Sequence, residues 1–217
     1  MKKMRELKRD VEFALSRNAA ATTGGTATGR SMAGIESWIG ATAASSANAT
    51  TVVLSTTTAS ATTPPLTGGT AGAAPTDGTT TAALTEADLK LALEGAWTNG
   101  GDTDTILVSP TQKAVIDGFT GVATRNVELG RTEQAVITGA ANVYVSSFGV
   151  HRVVQHRYMR TSVALCLDTS LWAVATLRPF TSEKLAKTGD AEKRLIQTEL
   201  TLVARNWRGN AKVVALA

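Results

Sequence analysis

The sequence predicts an α+β protein, on three observations. The amino terminus has the apolar spacing of an amphipathic helix, the middle of the chain holds a short strand that leads into a capped helix, and the carboxy-terminal half is a series of short apolar or alternating runs separated by turn residues. Helices and strands segregated along the chain in this way are typical of α+β domains. At 217 residues the chain is long enough for one large domain or two small ones.

The first predicted element is a helix over residues 1–17. Its apolar stripe consists of Met4, Leu7, Val11 and Ala14, widened by Leu15. The stripe is narrow and the polar side mixes acids with bases, so we expect this helix to pack against protein rather than lie on a membrane surface. No capping residue precedes the pattern, which predicts the end part of a longer helix.

Residues 41–84 form a second compositional unit. Thr and Ala dominate it, Pro and Gly cluster in it, and Asp77 is its only charged residue. A segment of this kind buries little apolar surface, which predicts an extended surface insert with a hairpin around residues 51–54.

Another helix is predicted to begin after Thr85. Thr85 has the residue type of an N-cap, and Asp88 stands where it completes a capping box. Leu84 and Leu89 have the spacing of a hydrophobic staple. The Asn-Gly-Gly run at residues 99–101 is typical of a helix end.

A strand over residues 105–108 leads into a third helix. Ser109 is its predicted N-cap, Pro110 takes the first helical position, and Gln112 is placed to complete a second capping box. A strand that feeds a well-capped helix supports the α+β prediction.

The carboxy-terminal half is predicted to be mainly strands. From residue 135 onward the runs are AVI, NVYV, GVHRVV, SVALCL, LWAVATL, RLIQTELTLVAR and AKVVAL. RLIQTELTLVAR is the most regular, because Ile196, Leu200 and Leu202 share one face and polar residues occupy most of the other.

Cysteine count and hydropathy exclude several classes of protein. The single cysteine, Cys166, excludes an internal disulfide framework and a multi-cysteine zinc site. It lies within an apolar strand, where a cysteine is expected to be a small core residue. No run reaches the roughly 18–20 apolar residues of a membrane span, and the basic amino terminus lacks the apolar stretch of a signal peptide.

Charge is distributed unevenly along the chain. Residues 31–108 contain one base and seven acids, whereas residues 150–217 contain eleven bases and five acids. This asymmetry has two interpretations: a surface that faces DNA, or oppositely charged patches that meet between copies of the chain.

Residues 24–31, GGTATGRS, are one residue short of a phosphate-binding loop, and Asp168 at the end of an apolar strand resembles a magnesium-orienting acid. A nucleotide hydrolase is therefore one hypothesis. The loop follows a helix instead of a buried strand, however, and Arg30 is too broad to replace the lysine. LAKTGD resembles a phosphorylated-aspartate loop, but Ala186 stands where the nucleophile is needed.

The chain contains two histidines, His151 and His156. Residues five apart on a strand point to opposite faces, so the pair is not expected to share a metal ion. We expect solvated or interface histidines instead.

The segment HRVVQHRYMR interleaves bases with Tyr158, a pattern that could bind single-stranded nucleic acid. A contact with a neighbouring subunit is the simpler interpretation. The sequence predicts no active site, cofactor or metal.

Four motifs, ELKRDVE, SSFG, LRPF and LAKTGDAEKR, occur in this order and carry a resemblance to a known family. Together with RSMAGIESWI, they resemble the tailed-phage major capsid proteins of the Hong Kong 97 fold, and most closely a DUF-annotated major capsid family. The resemblance covers most of the chain outside the Thr-rich insert.

The resemblance implies a division of the chain into four parts. Residues 1–40 would be a spine helix and its exit turn, 41–84 a surface insert, 85–177 an axial α+β domain, and 178–217 the strands of a peripheral domain. RLIQTELTLVAR would lie alongside the spine helix, with LRPFTSEKLAKTGD approaching it. Family members also carry an amino-terminal arm and an extended loop before the spine helix. Since this chain begins inside that helix, we expect truncation, proteolysis or an internal start.

The resemblance further implies a structural role and no catalysis. Copies of the chain would form hexamers and pentamers of an icosahedral shell around double-stranded DNA, bound non-specifically, with portal, scaffold or decoration proteins as further partners and no membrane. Assembly would occur in the host bacterial cytoplasm, and an encapsulin-like compartment is the alternative. The expected subunit-interface residues are Arg30, Arg152, Arg157, Arg160, Lys184, Lys187 and Asp190.

Overall fold

The structure is a computed structural model of the chain. It describes residues 2–22, 24–26, 29–39, 81–119, 142–186, 189–190 and 192–217, together with the backbone of four short strands between residues 43 and 71. Lys187 and the predicted AVI strand at residues 135–137 lie outside the described residues.

The described helices are α1 (Lys2–Ser16), α2 (Ile35–Trp38), α3 (Glu86–Thr98) and α4 (Pro110–Asp117). The strands are β1 (Ala43–Ser45), β2 (Val52–Ser55), β3 (Leu66–Thr67), β4 (Thr70–Ala71), β5 (Thr105–Val108), β6 (Val143–Ser146), β7 (Gly149–Gln155), β8 (Ala164–Leu167), β9 (Trp172–Lys184), β10 (Arg194–Ala204) and β11 (Ala211–Val214). This mixture confirms the predicted α+β class. None of the described helices has the length and apolar character to cross a membrane.

Local capping fixes where α3 begins. The Thr85 hydroxyl accepts from the backbone N–H of Asp88, and the Asp88 carboxylate accepts from the backbone N–H of Thr85, which is the predicted capping box. Leu84 and Leu89 are both buried at this end of the helix. The prediction for α3 is therefore confirmed at its start, and its last helical residue, Thr98, directly precedes the predicted Asn-Gly-Gly stop.

The predicted capping box of α4 is half wrong. Ser109 does accept from the backbone N–H of Gln112, at 3.3 Å. The Gln112 side chain, however, donates to the carbonyl oxygens of Thr161 and Ala217, both at 2.9 Å, instead of returning to Ser109. Gln112 is fully buried, and a buried N–H is costly unless it is hydrogen-bonded, so its amide nitrogen takes these distant carbonyls. Its amide oxygen, the atom that a capping box would use, is buried and has no hydrogen-bond partner among the described residues.

Seven of the described strands form one mixed sheet in the order β1-β2-β11-β8-β5-β7-β6. Strands β5 and β7 pair in parallel, and the other neighbours are antiparallel. The sheet brings the Thr-rich insert, through β2, next to the carboxy-terminal strand β11. The predicted hairpin near residues 51–54 corresponds to the antiparallel β1–β2 pair.

The core lies on both faces of this sheet. On one face α3 and α4 pack over a cluster that includes Ile106, Cys166 and Val213. On the other, Leu165 and Val214 pack with residues from α2 and its surroundings, including Ile39. Strands β8 and β11 are consequently buried on both sides, with all four residues of each buried.

Strands β9 and β10 form a separate antiparallel ribbon, paired from Trp172 opposite Ala204 to Lys184 opposite Arg194. The ribbon is irregular near Glu199, where Pro179 of the LRPF motif lies on the opposite strand. Proline lacks the N–H of a regular ladder and is tolerated at such a bulge. The LRPF motif is therefore part of one long strand that pairs with RLIQTELTLVA.

The ribbon changes one predicted boundary. A division at residue 178 falls inside β9, which starts at Trp172, and β11 lies in the large sheet beside β8 instead of with the ribbon. Chain order alone placed β11 with its sequence neighbours, whereas its backbone hydrogen bonds place it between β2 and β8.

Candidate functional site

Hydrogen bonds between Thr22 and Ser31 join the two ends of the GGTATGRS turn. Backbone hydrogen bonds join Thr22 and Ser31 in both directions, at 2.9 and 3.2 Å, and their hydroxyl oxygens are 2.9 Å apart. The turn leaves α1, and the next helix begins only at Ile35. A phosphate loop needs a strand before it and a helix N-terminus directly after it, so this turn lacks that architecture.

Asp168, the acid proposed for the nucleotide hypothesis, is held within the chain. Its carboxylate accepts hydrogen bonds from the backbone N–H groups of Asp102 and Ser170, both at 3.0 Å, and from the Ser170 hydroxyl at 2.6 Å. It thereby caps the short 3₁₀ turn Thr169–Leu171. These contacts give Asp168 a structural role.

Cys166 is a core residue, as predicted. It is fully buried in β8, and burial raises the pKa of its thiol to about 12. The thiolate is the reactive form of cysteine, so the folded chain holds its cysteine in an unreactive state.

We expect Cys166 to resist thiol reagents until the protein unfolds. At pH 8 the raised pKa leaves almost no thiolate, and burial denies the reagent access. Colour development with a disulfide reagent such as dithionitrobenzoate should be negligible over an hour in buffer and complete, at one thiol per chain, in 6 M guanidinium chloride. Full labelling within minutes in buffer would contradict this placement.

The prediction for His151 is wrong, because this residue is fully buried. Its Nδ1 lies 2.6 Å from the carbonyl oxygen of Thr103, and its Nε2 lies 2.6 Å from the hydroxyl oxygen of Ser146. A carbonyl only accepts, so Nδ1 carries the proton, and in the neutral ring Nε2 accepts from Ser146. Because His151 alternates with the exposed Arg152 on β7, it faces the core and fixes the β6–β7 hairpin.

His156 has a different environment, just after the end of β7. Its Nε2 lies 3.0 Å from a carboxylate oxygen of Glu12 on α1. The two histidines therefore have separate partners. Among the described residues, no group of three His, Cys, Asp or Glu side chains could hold a metal.

Residues 156–160 join α1 and α2 to the sheet, and we call this region the helix joint. Besides the His156–Glu12 contact, Phe13 meets Tyr158 edge to face, with ring centroids 6.2 Å apart. Arg160 donates to the buried carboxylate of Glu36 from Nε at 3.0 Å and from a terminal nitrogen at 2.6 Å. Arg160, predicted as an interface residue, thus forms an ion pair within its own chain.

Two further contacts beside the helix joint hold α1 and α2 close to the sheet and to each other. The fully buried Lys212 of β11 donates from Nζ to the carbonyl oxygen of Glu36, at 2.8 Å. Gly34 lies so close to the end of α1 that a Cβ there would be 1.8 Å from the carbonyl oxygen of Arg17. Only glycine fits at position 34, where the backbone passes against the carbonyl group of Arg17.

Helix α1 also lies beside the ribbon. Its apolar stripe is only half-buried, and the stripe borders a groove of about 950 Å³ that reaches Leu200 of β10. Arg30 lines the same groove as Asp10. The ammonium of Lys8 lies 5.8 Å from the ring centroid of Phe180 on β9.

The remaining predicted interface residues are on the surface. Arg30, Arg152, Arg157 and Asp190 are exposed, and Lys184 pairs with Glu192 at 3.0 Å. The structure does not gather them into one cluster: they are spread over the turn after α1, strand β7, the helix joint and the ribbon end. Their role in subunit contacts stays a prediction.

Exposed apolar residues on the strands were missed by sequence reasoning. Val143, Val145 and Val150 are 52%, 70% and 65% exposed on the outward face of the β6–β7 hairpin. A second set, which includes Val174 and Leu177, lies on the ribbon. The signal was available in the sequence, since the alternation in NVYV places its valines opposite the buried Tyr144.

Exposed apolar strand faces on a folded body with its own core are typical of proteins that associate with other chains. The comparisons agree with this class. The entire chain, residues 1–217, matches the family model described as SU10 major capsid protein, and the chain belongs to this family. It is a phage major capsid protein, a structural protein of the virion. A comparison with curated proteins gave no match.

Proposed function

We propose that copies of this chain assemble into hexamers and pentamers of an icosahedral shell that encloses phage double-stranded DNA, and that the subunit has the Hong Kong 97 fold. The observation that carries the proposal is the presence of two separate apolar surfaces, on the β6–β7 hairpin and on the ribbon, in a member of a capsid family. A closed shell needs contacts within each ring and contacts between rings, so each subunit requires more than one interface.

The fold proposal assigns the two bodies of the structure. The seven-stranded sheet with α3 and α4 would be the axial domain near the centre of each ring. Helix α1, as the spine helix, and the β9–β10 ribbon would form the peripheral domain. The half-buried stripe of α1 beside the groove supports this assignment, because it leaves apolar surface for a neighbouring subunit.

The DNA would be bound without sequence preference. The excess of bases over acids in residues 150–217, eleven against five, supports an electrostatic contact with phosphates. Portal, scaffold and decoration proteins would complete assembly in the host bacterial cytoplasm. The family match favours a virion over an encapsulin-like compartment.

Electron microscopy and light scattering of the full-length protein test this proposal. We expect five- and six-fold rings or closed shells over a range of protein and salt concentrations, and DNase-protected double-stranded DNA in particles from infected cells. A well-folded protein that stays monomeric under every condition would overturn it.

A further inference from the structure

The outward face of the β6–β7 hairpin is an apolar surface with one charge. Val145 lies directly opposite Val150 in the strand register, and Val143 lies directly opposite Arg152. Paired residues share a face, so these four side chains form one patch, which we call the valine face. Within the described chain, Arg152 has no ion-pair partner.

The valine face lies on a rigid support. On the opposite side of the same strands, Tyr144 and His151 are buried, and their rings stack with centroids 6.2 Å apart. The Tyr144 hydroxyl donates to Glu86 on α3, and His151 is hydrogen-bonded at both ring nitrogens. The exposed valines are therefore held in fixed positions, which lowers the entropy lost on binding.

The valine face also lies at the edge of the sheet as the structure describes it. β6 is the last strand in the order, next to β7. Folded proteins protect such edges with charges, prolines or bulges because exposed apolar edges associate with other chains. Three valines exposed on the face beside this edge form the kind of apolar patch that marks a contact with another chain.

A second surface, on the other side of the sheet, carries an acid beside two aromatic rings and so complements the base and valines of the valine face. Trp97 of α3 is 60% exposed and lies 6.1 Å, between ring centroids, from Phe148 in the turn of the hairpin. Glu94 lies one turn before Trp97 on the same side of the helix, is exposed, and has no ion-pair partner in the described chain. We call Glu94, Trp97 and Phe148 the tryptophan surface.

We propose that the valine face of one copy binds the tryptophan surface of the next copy in the ring, with Arg152 between the Glu94 carboxylate and the Trp97 ring. The inference rests on the proposed shell function and specifies one of its interfaces. The two surfaces are complementary: within the described chain, one carries a base without an ion-pair partner among valines, and the other carries an acid without an ion-pair partner beside two aromatic rings. Arg over Trp is a favourable cation–π pair, and both are enriched among the residues that dominate interface energies.

The positions of the two surfaces favour head-to-tail assembly over a two-fold symmetric dimer. Helix α3 and Phe148 pack on the face of the sheet that carries Tyr144, and the valines point away from that face. Two complementary surfaces on opposite sides of one body join head to tail, and such contacts close into a ring when each copy is rotated by a fixed fraction of a turn relative to the last.

Charge reversal tests the contact in the full-length protein. We expect Arg152→Glu and Glu94→Arg each to raise the protein concentration needed for assembly at least tenfold, measured by sedimentation velocity and electron microscopy. The Arg152→Glu/Glu94→Arg double variant should recover most of the assembly, because the pair is restored with its charges exchanged. Arg205→Glu changes another exposed arginine, which lies outside both surfaces, and this control variant should assemble like the wild type.

The outcomes separate this inference from the proposed function. A wild type that stays monomeric overturns both. A wild type that assembles, together with single reversals that assemble equally well, overturns the inference alone. A double variant that needs as high a protein concentration to assemble as the single variants also overturns the inference alone.

All variants should melt within about 2 °C of the wild type, since exposed substitutions have small effects on stability. A large drop in melting temperature for Arg152→Glu would show that the valine face is covered by its own chain, contrary to the inference.

Discussion

Replacement of Gly101 by alanine is expected to lower the free energy of unfolding by about 3 kcal/mol, since forced overlap in a packed interior costs this order of energy. A Cβ at position 101 would lie 1.9 Å from the carbonyl oxygen of Gly209. Both sides of this contact are backbone, so neither can move away by changing a rotamer. Gly209 is confined in turn, because its own Cβ would meet Leu171 at 2.8 Å.

The contact matters because it joins the end of α3 to the turn that precedes β11. Gly101 donates from its backbone N–H to Ala96 at the end of the helix, at 3.0 Å, and Gly209 lies two residues before β11 starts. Widening this crossing would displace a central strand of the sheet from the helix that covers it. Urea unfolding followed by tryptophan fluorescence measures the loss.

Gly29→Ala is the matched control for this experiment. A Cβ at Gly29 would have no atom within 4 Å, so its effect should stay within about 0.5 kcal/mol. Equal stability of the Gly101→Ala variant and the wild type would show that the two backbones are not in contact.

Replacement of Glu36 by alanine is the second large effect, with an expected loss of about 2–3 kcal/mol. The Glu36 carboxylate is fully buried and accepts two hydrogen bonds from Arg160. Breaking a buried ion pair by removing one partner costs about 3–5 kcal/mol when both partners are buried. The Arg160 side chain is 37% exposed, so water offsets part of this cost.

Glu192→Ala is the corresponding control, because Glu192 pairs with Lys184 at 3.0 Å on the surface. Exposed pairs contribute about 0–1 kcal/mol, so this variant should unfold close to the wild type. A Glu36→Ala variant as stable as Glu192→Ala would contradict the role of the buried pair.

The Glu36 contact connects stability to assembly. Through Arg160 it fixes α2 to the helix joint, where His156 and Tyr158 hold α1. A shell of repeated subunits requires every copy to present its surfaces at the same angle, and this joint sets the angle between α1 and the sheet. Weakening it is therefore expected to increase the variety of assembled particles as well as to lower the melting temperature.

The sequence by itself determined the elements whose signals are local. The Thr85–Asp88 capping box joins residues three apart, and strand alternation is visible within a few residues, so the start of α3 and most strands could be predicted. The helix of residues 1–17 was predicted on the same basis and is observed as Lys2–Ser16. Cys166 could be assigned to the core from its apolar neighbours alone.

Tertiary structure decided which strands pair and which polar groups are buried. Glu36 meets Arg160 across 124 residues of sequence and Lys212 across 176, and Gln112 leaves its local cap for Ala217, 105 residues away. A buried polar group takes whatever partner the packed sheet places beside it, and no local pattern encodes that partner. The same reason explains the burial of His151 and the position of β11 between β2 and β8, both of which depend on contacts formed only when the sheet assembles.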